Sequence, residues 1–400
     1  RQQEAYDMTL EAFELSERFH IPVMVRLSTR IAHSRAVVST RARAPQRPLD
    51  KSKQAAGWML LPSTARVLWA DLLERHKQFV VYSEASPHNA FEPNPAFTDF
   101  GVLTAGLGWN YYMENRDELP VRPPHLHLSV YPLPVEKIRR FAAGVRKIVV
   151  IEEGYPLVER ALRGVLPPSV PIAGKEDGSL PATGELTPDN VRGALGLPDK
   201  QGVSPPGFKI PGRPPQLCAG CSHRDSYDAL NLALEGYPQR LVSSDIGCYT
   251  LGFLPPYQAI ETCLCMGASV GMAKGAAQAG FHPVVAVIGD STFLHSGVTP
   301  LIDAVAVNVT MTLLILDNST TAMTGHQQNP GTGYTLQQRA TLRADLEPLV
   351  RALGIQHVQV VDPYDLKSVE DALQASLALD SPSVIIARRE CALLPEARKR

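Results

Sequence analysis

The sequence predicts a multi-domain α/β protein built on doubly wound parallel sheets. Two patterns carry that expectation. Short β-branched runs alternate with helix-periodic segments through most of the 400 residues, and two of those runs end in polar loops whose key residues, Asp290 and Asn318, lie 28 positions apart. Two parallel strands joined by a crossover helix need such an interval, and their loops then open on one edge of the sheet. A chain of this length holds two or three domains, each able to bury a core.

Residues 1–40 read as the C-terminal end of an α/β domain. Met8, Ala12, Leu15 and Phe19 recur at spacings of four and three and build one apolar helix face, and a strand follows at 22–27. The chain opens on Arg1 directly in this helix and ends in the charged run ALLPEARKR, which suggests an internal piece of a longer protein. Residues 41–165 form the next unit. It opens with an Arg-rich stretch from Thr40 to Lys53, then strands are expected at 79–82, 101–105, 126–131 and 147–152, with helix patterns such as 135–143 between them. Residues 166–215 contain eleven prolines, a density that blocks helices and ladders, so a linker or surface arm is expected there. Residues 216–400 form the last α/β unit. Its expected strands fall at 240–243, 284–288, 311–316, 357–361 and 383–387, and its helices at 267–279, 297–307, 345–352 and 365–379.

A formal net charge of −1 gives no electrostatic case for nucleic acid or an anionic membrane. No apolar run is long enough to span a bilayer and no signal-peptide pattern opens the chain, so a cytoplasmic setting is expected. Six cysteines in 400 residues are too few for a disulfide scaffold. Their Cys-x-x-Cys and Cys-x-Cys pairs point to metal or redox work, with buried small hydrophobes as the ordinary alternative.

The strand at 284–288 delivers Gly289-Asp290-Ser291, and the strand at 311–316 delivers Asp317-Asn318-Ser319-Thr320. One carboxylate, one side-chain amide and nearby carbonyls make a hard oxygen set suited to Mg²⁺. Gly289 gives a phosphate room to approach, and the next helix start aims N–H groups at it. The parts read as a magnesium–diphosphate cradle. The ordinary alternative is two strand-end residues capping helices.

This pattern resembles the thiamine diphosphate motif, GDG followed after a helix-length interval by N or NN. Here Ser291 stands for the last Gly and Asp317 for the first Asn. That form, with the words LCAGCSHR at 217–224, SDIGCYTLG at 244–252, ETCLCMGAS at 261–269, GDSTFLHSG at 289–297 and LDNSTTAMTGHQ at 316–327, resembles the large subunit of indolepyruvate ferredoxin oxidoreductase. The N-terminal run EAYDMTLEAFELSERFHIPVMVRLSTRIAHSR is similar too, so the resemblance covers nearly the whole chain.

The resemblance implies a thiamine-diphosphate-binding fold. Residues 1–40 would end a pyrimidine-binding domain, 41–165 would be a transketolase C-terminal-like domain, and 216–400 would bind diphosphate and Mg²⁺. Asp290 and Asn318 would ligate Mg²⁺ through side chains and Thr320 through its carbonyl. Ser291, Thr324 and Gly325 would face the diphosphate, and Gly289, Cys265, Met266 and Gly267 would also line the cofactor. Cys263 and Cys265 sit before a helix start that would lower a thiol pKa, though a packed small residue is the ordinary reading. His295 and His326 are candidates for binding the substrate carboxylate or shuttling a proton, against simple capping or solvation. Asp245 reads equally as a helix cap, His223 and Arg224 as a local charge for an anionic ligand, and Glu152 and Glu153 as a surface pair.

Cys218, Cys221, Cys248 and Cys391 have the count of a [4Fe–4S] site, with tetrahedral Zn²⁺ the competitor from composition. The wider 2-oxoacid:ferredoxin oxidoreductase superfamily carries cysteines at these places around a cluster. The resemblance therefore implies a cluster, with ligandless remnants as the alternative. It also implies the reaction: an aryl pyruvate, coenzyme A and ferredoxin give aryl-acetyl-CoA and CO₂, with a small β subunit as partner. The activating Glu and a ferredoxin-like tail would lie outside this segment. The rivals are a non-oxidative thiamine decarboxylase or carboligase, and an inactive structural remnant.

Overall fold

The computed structural model describes residues 1–43, 58–200 and 214–395, with isolated positions between those blocks. The chain divides into two compact units, Arg1–Phe208 and Lys209–Arg400. Much of the Arg-rich stretch and most of residues 201–213 lie outside the described residues. Among those described, no helix is long and apolar enough to cross a membrane.

The first unit is built on five strands, β1 (Phe91–Glu92), β2 (Gly101–Ala105), β3 (His125–Leu128), β4 (Ile148–Ile151) and β5 (Ile172–Ala173), in the order β1-β3-β2-β4-β5. All neighbours run parallel except β1 with β3. Alternate residues of one strand serve opposite layers. Leu103 and Val150 pack with Phe141 and Leu162, while Val102 and Val149 pack with Tyr112 and Leu195. The helices that cover the sheet include α4 (Gly108–Arg116), α5 (Val135–Ala143) and α6 (Leu157–Val165).

Four expectations fail in this unit. The run at 79–82 lies inside a long helix, α3 (Pro62–Ala85), which follows α1 (Gln2–Phe19) and the short α2 (Thr29–His33). Tertiary contacts outweigh the β propensity of Phe79-Val80-Val81-Tyr82: Phe79 meets Phe19 edge-on at 5.2 Å and Tyr82 donates to Glu11. The expected strand at 22–27 is irregular. The proline-rich stretch is no free linker over its described part. It contributes β5 and buries Leu180, Leu186, Val191 and Leu195 against the sheet, because its prolines punctuate turns between apolar anchors. Glu152 is likewise no surface residue: it is buried and accepts from the Val158 and Glu159 amides at the start of α6.

The second unit is a six-stranded, all-parallel sheet. Its strands are β6 (Leu241–Ser244), β7 (Thr262–Cys263), β8 (Val284–Gly289), β9 (Thr312–Asp317), β10 (His357–Val361) and β11 (Ser383–Arg388), in the order β10-β11-β9-β8-β6-β7. Every residue of β8 and β9 is buried, as continuous apolar runs between two helical layers require. One layer is α7 (Ser222–Ala233) with α12 (Leu366–Leu377); the other is α8 (Ala268–Gln278), α10 (Val298–Ala306) and α11 (Leu346–Ala352). From β6 the chain goes to β7 on one side and then to β8 on the other. The crevice at the carboxyl ends of β6 and β8 is therefore the topological switch point, where open α/β sheets bind ligands.

In the first unit His125 is buried and bonded to the Thr104 hydroxyl at 2.8 Å. Burial, then the neighbouring charges of His127 and Arg116, lower its pKa from 6.5 to about 3. Between these values the unfolded chain binds the extra proton. The stability is therefore complete above pH 6.5 and is lost as pH falls toward 3, by up to about 1.4 kcal/mol per pH unit. His125→Asn should flatten the pH dependence of this unit's urea-unfolding free energy across that window. An unchanged slope would contradict the assignment.

Candidate cofactor and metal site

Asp290 follows the last residue of β8 and opens a short helical turn, Asp290–Thr292, that runs through a π-turn, Phe293–Gly297, into α10. Its side chain is 3 % exposed, and its Oδ2 has no hydrogen-bond partner. Burial, then the charge of Asp317, push its pKa up to about 7, against the pull of the Ser291 and Ser319 amides. A buried carboxylate oxygen with no donor is costly, so the group calls for a compensating positive ligand. A hard divalent cation fits that donor.

The facing loop leaves β9 at Asp317. Asn318 is 8 % exposed and its Oδ1 accepts from the Thr320 amide at 3.2 Å. Ser319 adopts φ 59°, a left-handed turn that reverses the chain. Thr320 is buried beside it. A 2.8 Å hydrogen bond between the Ser291 and Thr321 hydroxyls ties this loop to the Asp290 turn. Asp317 is buried, and its Oδ2 accepts from Arg388 Nε at 2.8 Å.

A third loop completes the crevice. Asp245, after β6, is fully buried; one oxygen accepts from the Gly267 amide at 3.0 Å and from the Ser269 hydroxyl at 2.6 Å. Its other oxygen accepts from the Tyr249 hydroxyl. Burial raises its pKa even against these donors. Asp245 thus fixes the start of α8. Gly267 has φ 86°, and a Cβ there would sit 2.5 Å from Ser296 Oγ and 2.8 Å from the Ser296 carbonyl, so glycine is required. At Gly289 a Cβ would meet the Tyr249 ring at 2.6 Å. The missing side chain at Gly289 thus gives the Tyr249 ring its room.

The family profile described as thiamine pyrophosphate enzyme, C-terminal TPP binding domain, matches residues 245–387, the stretch that carries all three loops. Indolepyruvate oxidoreductase subunit IorA of Archaeoglobus fulgidus is 36% identical over 414 residues, covering 100% of this chain and 66% of its own length. The subunit of the same name from Methanothermobacter thermautotrophicus is 34% identical over 98% of this chain and 65% of its own. The chain belongs to the IorA family. It spans about 65% of the curated relatives' length. A solved 2-oxoglutarate:ferredoxin oxidoreductase from Magnetococcus marinus aligns with 45% of this chain and 65% of its own at 16% identity and a TM-score of 0.41, too distant a likeness to carry an argument.

In this IorA-family chain the expected residues fall into three groups. Asp290, Ser291, Asn318 and Thr320 come together across β8 and β9. Cys265, Met266 and Gly267 lead into α8 beside them, where the Met266 carbonyl accepts from Ser296 at 2.7 Å. Thr324 and Gly325 lie on an exposed turn, and the Thr324 hydroxyl is engaged by Gln327 at 2.6 Å. His295 is exposed, with Nδ1 3.0 Å from Ser296 Oγ. His326 adopts φ 62° and sits 3.7 Å from Cys391 Sγ.

The four cysteines share one neighbourhood. Burial pushes the Cys221 thiol up to about 11, and the nearby thiols of Cys218, Cys248 and Cys391 push the same way. Gly220, between the Cys-x-x-Cys pair, lies within 3.9 Å of the Ala392 methyl from where its own Cβ would stand. The Cys391 amide donates to the Asn318 carbonyl at 3.0 Å. Among the described residues, however, no three His, Cys, Asp or Glu side chains form a group set to hold a metal ion. A ready-made tetrad is therefore absent there. Cys263 stands apart on the edge strand β7, 3.6 Å from the Asp245 carbonyl.

His223 and Arg224 both make protein contacts, and the Arg224 Nε has no partner among the described residues. His223 is buried against Tyr249 and burial lowers its pKa to about 4, while Arg224 donates to the Leu217 carbonyl. Asp245, Tyr249 and Arg388 are the residues sequence reasoning missed or undervalued. Only the first had a local signal, the SDIG word at the end of a strand.

Proposed function

We propose that this chain holds the diphosphate end of thiamine diphosphate through Mg²⁺, in the large subunit of an indolepyruvate-type oxidoreductase. The observation that carries the reading is the buried, partnerless Asp290 Oδ2 facing the Asn318 loop at the sheet's switch point. Asp290 Oδ2, Asn318 Oδ1 and the Thr320 carbonyl would be the protein's ligands to the ion. Ser291, Thr324, Gly325 and the amides at the turn after Asp290 would receive phosphate oxygens. Gly267, Met266 and Cys265 would line the cofactor beyond them.

Thiamine diphosphate, when bound, supplies the electron sink that lets a 2-oxoacid lose CO₂. The chain's own work is to bind, orient and shield. The Asp245–Gly267–Ser269 bonds fix one wall, and the Ser291–Thr321 bond fixes the two metal loops against each other. His295 and His326 are proposed to hold the substrate carboxylate or pass a proton.

The complete protein, with a small β subunit, is proposed to convert an aryl pyruvate, coenzyme A and two oxidised ferredoxins to aryl-acetyl-CoA, CO₂, two reduced ferredoxins and a proton. Two electrons leave singly, which calls for an iron–sulfur relay. Cys218, Cys221, Cys248 and Cys391 are proposed to close around a [4Fe–4S] cluster; their common neighbourhood supports this. A cytoplasmic setting fits free thiols and a ferredoxin acceptor.

Asp290→Ala in the complete protein should weaken Mg²⁺-dependent thiamine diphosphate binding by on the order of 2–5 kcal/mol, because the phosphate charge loses its bridging cation. Titration calorimetry reads this directly, and unchanged affinity would sink the cradle. In a coenzyme A-dependent dye-reduction assay, indolepyruvate and other aryl pyruvates should outperform pyruvate and 2-oxoglutarate. A clear preference for 2-oxoglutarate would move the site to another substrate class. Anaerobic reconstitution with iron and sulfide should load the four-cysteine site, and Cys391→Ala should lose that iron; equal iron in both would remove Cys391 from the ligand set.

A further inference from the structure

We propose that Arg388 is a positioning residue for the metal–diphosphate site, where its guanidinium neutralises the buried Asp317 carboxylate and so lets the acidic Asp317-Asn318 form of the loop accept a Mg²⁺-bound diphosphate. The inference rests on the cofactor reading above and goes beyond it.

Asp317 is an electrostatic problem for such a site. It ends β9 directly before Asn318, it is buried, and its charge already acts on Asp290. Left alone, it would add a second uncompensated anion beside a diphosphate, in a place where repulsion is poorly screened. Its Oδ1 accepts only neutral donation from Ser319, the amide at 3.1 Å and the hydroxyl at 3.5 Å.

Arg388 answers this from the neighbouring strand. It is the last residue of β11 and pairs in register with Asp317 across the sheet. Nε donates to Asp317 Oδ2 at 2.8 Å, and a terminal nitrogen reaches Asp345 Oδ1 at 3.3 Å. A planar fork can span two carboxylates in this way where a lysine point charge would not. Two backbone bonds follow on the same tail, Arg389 N to the Asp317 carbonyl at 2.9 Å and Cys391 N to the Asn318 carbonyl at 3.0 Å. The guanidinium is therefore held against the base of the loop and acts on the ion through Asp317.

Calorimetric titration of the complete protein with Mg²⁺ and thiamine diphosphate tests this, alongside thermal melts without ligand. Arg388→Gln should weaken binding at least about tenfold. Adding Asp317→Asn should restore it to within about threefold of wild type, since no buried charge then lacks a partner. If Arg388→Gln alone does not fold, the double variant must still fold and bind. Full affinity in Arg388→Gln, or no recovery in the double variant, overturns the inference while leaving the cofactor reading intact. Failure of the wild type to bind overturns the cofactor reading itself.

Discussion

Two carboxylates, Asp290 and Asp317, stand buried at the ends of adjacent parallel strands, and the rest of the second unit is arranged around that fact. Parallel strands put the ends of β8 and β9 on one edge, and both strands are buried along their whole length. The two acids receive opposite treatment. Asp317 is given a guanidinium, whereas Asp290 keeps an oxygen with no donor. One acid is therefore compensated by protein and its neighbour is not, which is the asymmetry the proposed metal site builds on.

The tail of β11 links this site to the cysteines. Over four residues it offers Arg388 to Asp317, the Arg389 amide to the Asp317 carbonyl and the Cys391 amide to the Asn318 carbonyl. Cys391 is thereby held to the same loop that would carry the metal. On the opposite side of the crevice, Asp245 anchors the start of α8 while Tyr249 packs under Gly289 and Gly247. Cys248 follows Gly247 directly, so the Tyr249 packing that shapes the cofactor wall also positions a second thiol. If the four thiols take up iron, the cofactor and the cluster are braced by one continuous set of contacts.

Much of the second unit was legible because parallel strands buried on both faces have few alternatives. The expected strand at 357–361 and the expected helix at 135–143 in the first unit coincide with the observed elements, and the ends of β8, β9 and β11 differ by one residue. What failed depended on contacts distant in sequence. Phe79 to Tyr82 look like a strand until Phe19 and Glu11 are placed against them. The prolines of 166–200 look like a linker until Leu180 and Leu195 are found on the sheet. In the site, spacing placed Asp290 and Asn318 at the ends of two adjacent parallel strands, where they are found, and their reading as cofactor ligands came from the resemblance. The pairing of Asp317 with Arg388 could not be read in advance, because 71 positions separate them and only strand register brings them together. The left-handed turn at Ser319 carries no glycine to announce it.

The central claim is that the open oxygen of Asp290 is a metal ligand. A crystal structure of the complete protein grown with thiamine diphosphate and Mn²⁺, read by its anomalous signal, tests it most directly. The account predicts an anomalous peak within ligand distance of Asp290 Oδ2, Asn318 Oδ1 and the Thr320 carbonyl, beside the diphosphate. An ion bound elsewhere, or a cofactor seated with Asp290 Oδ2 still without a partner, would contradict it.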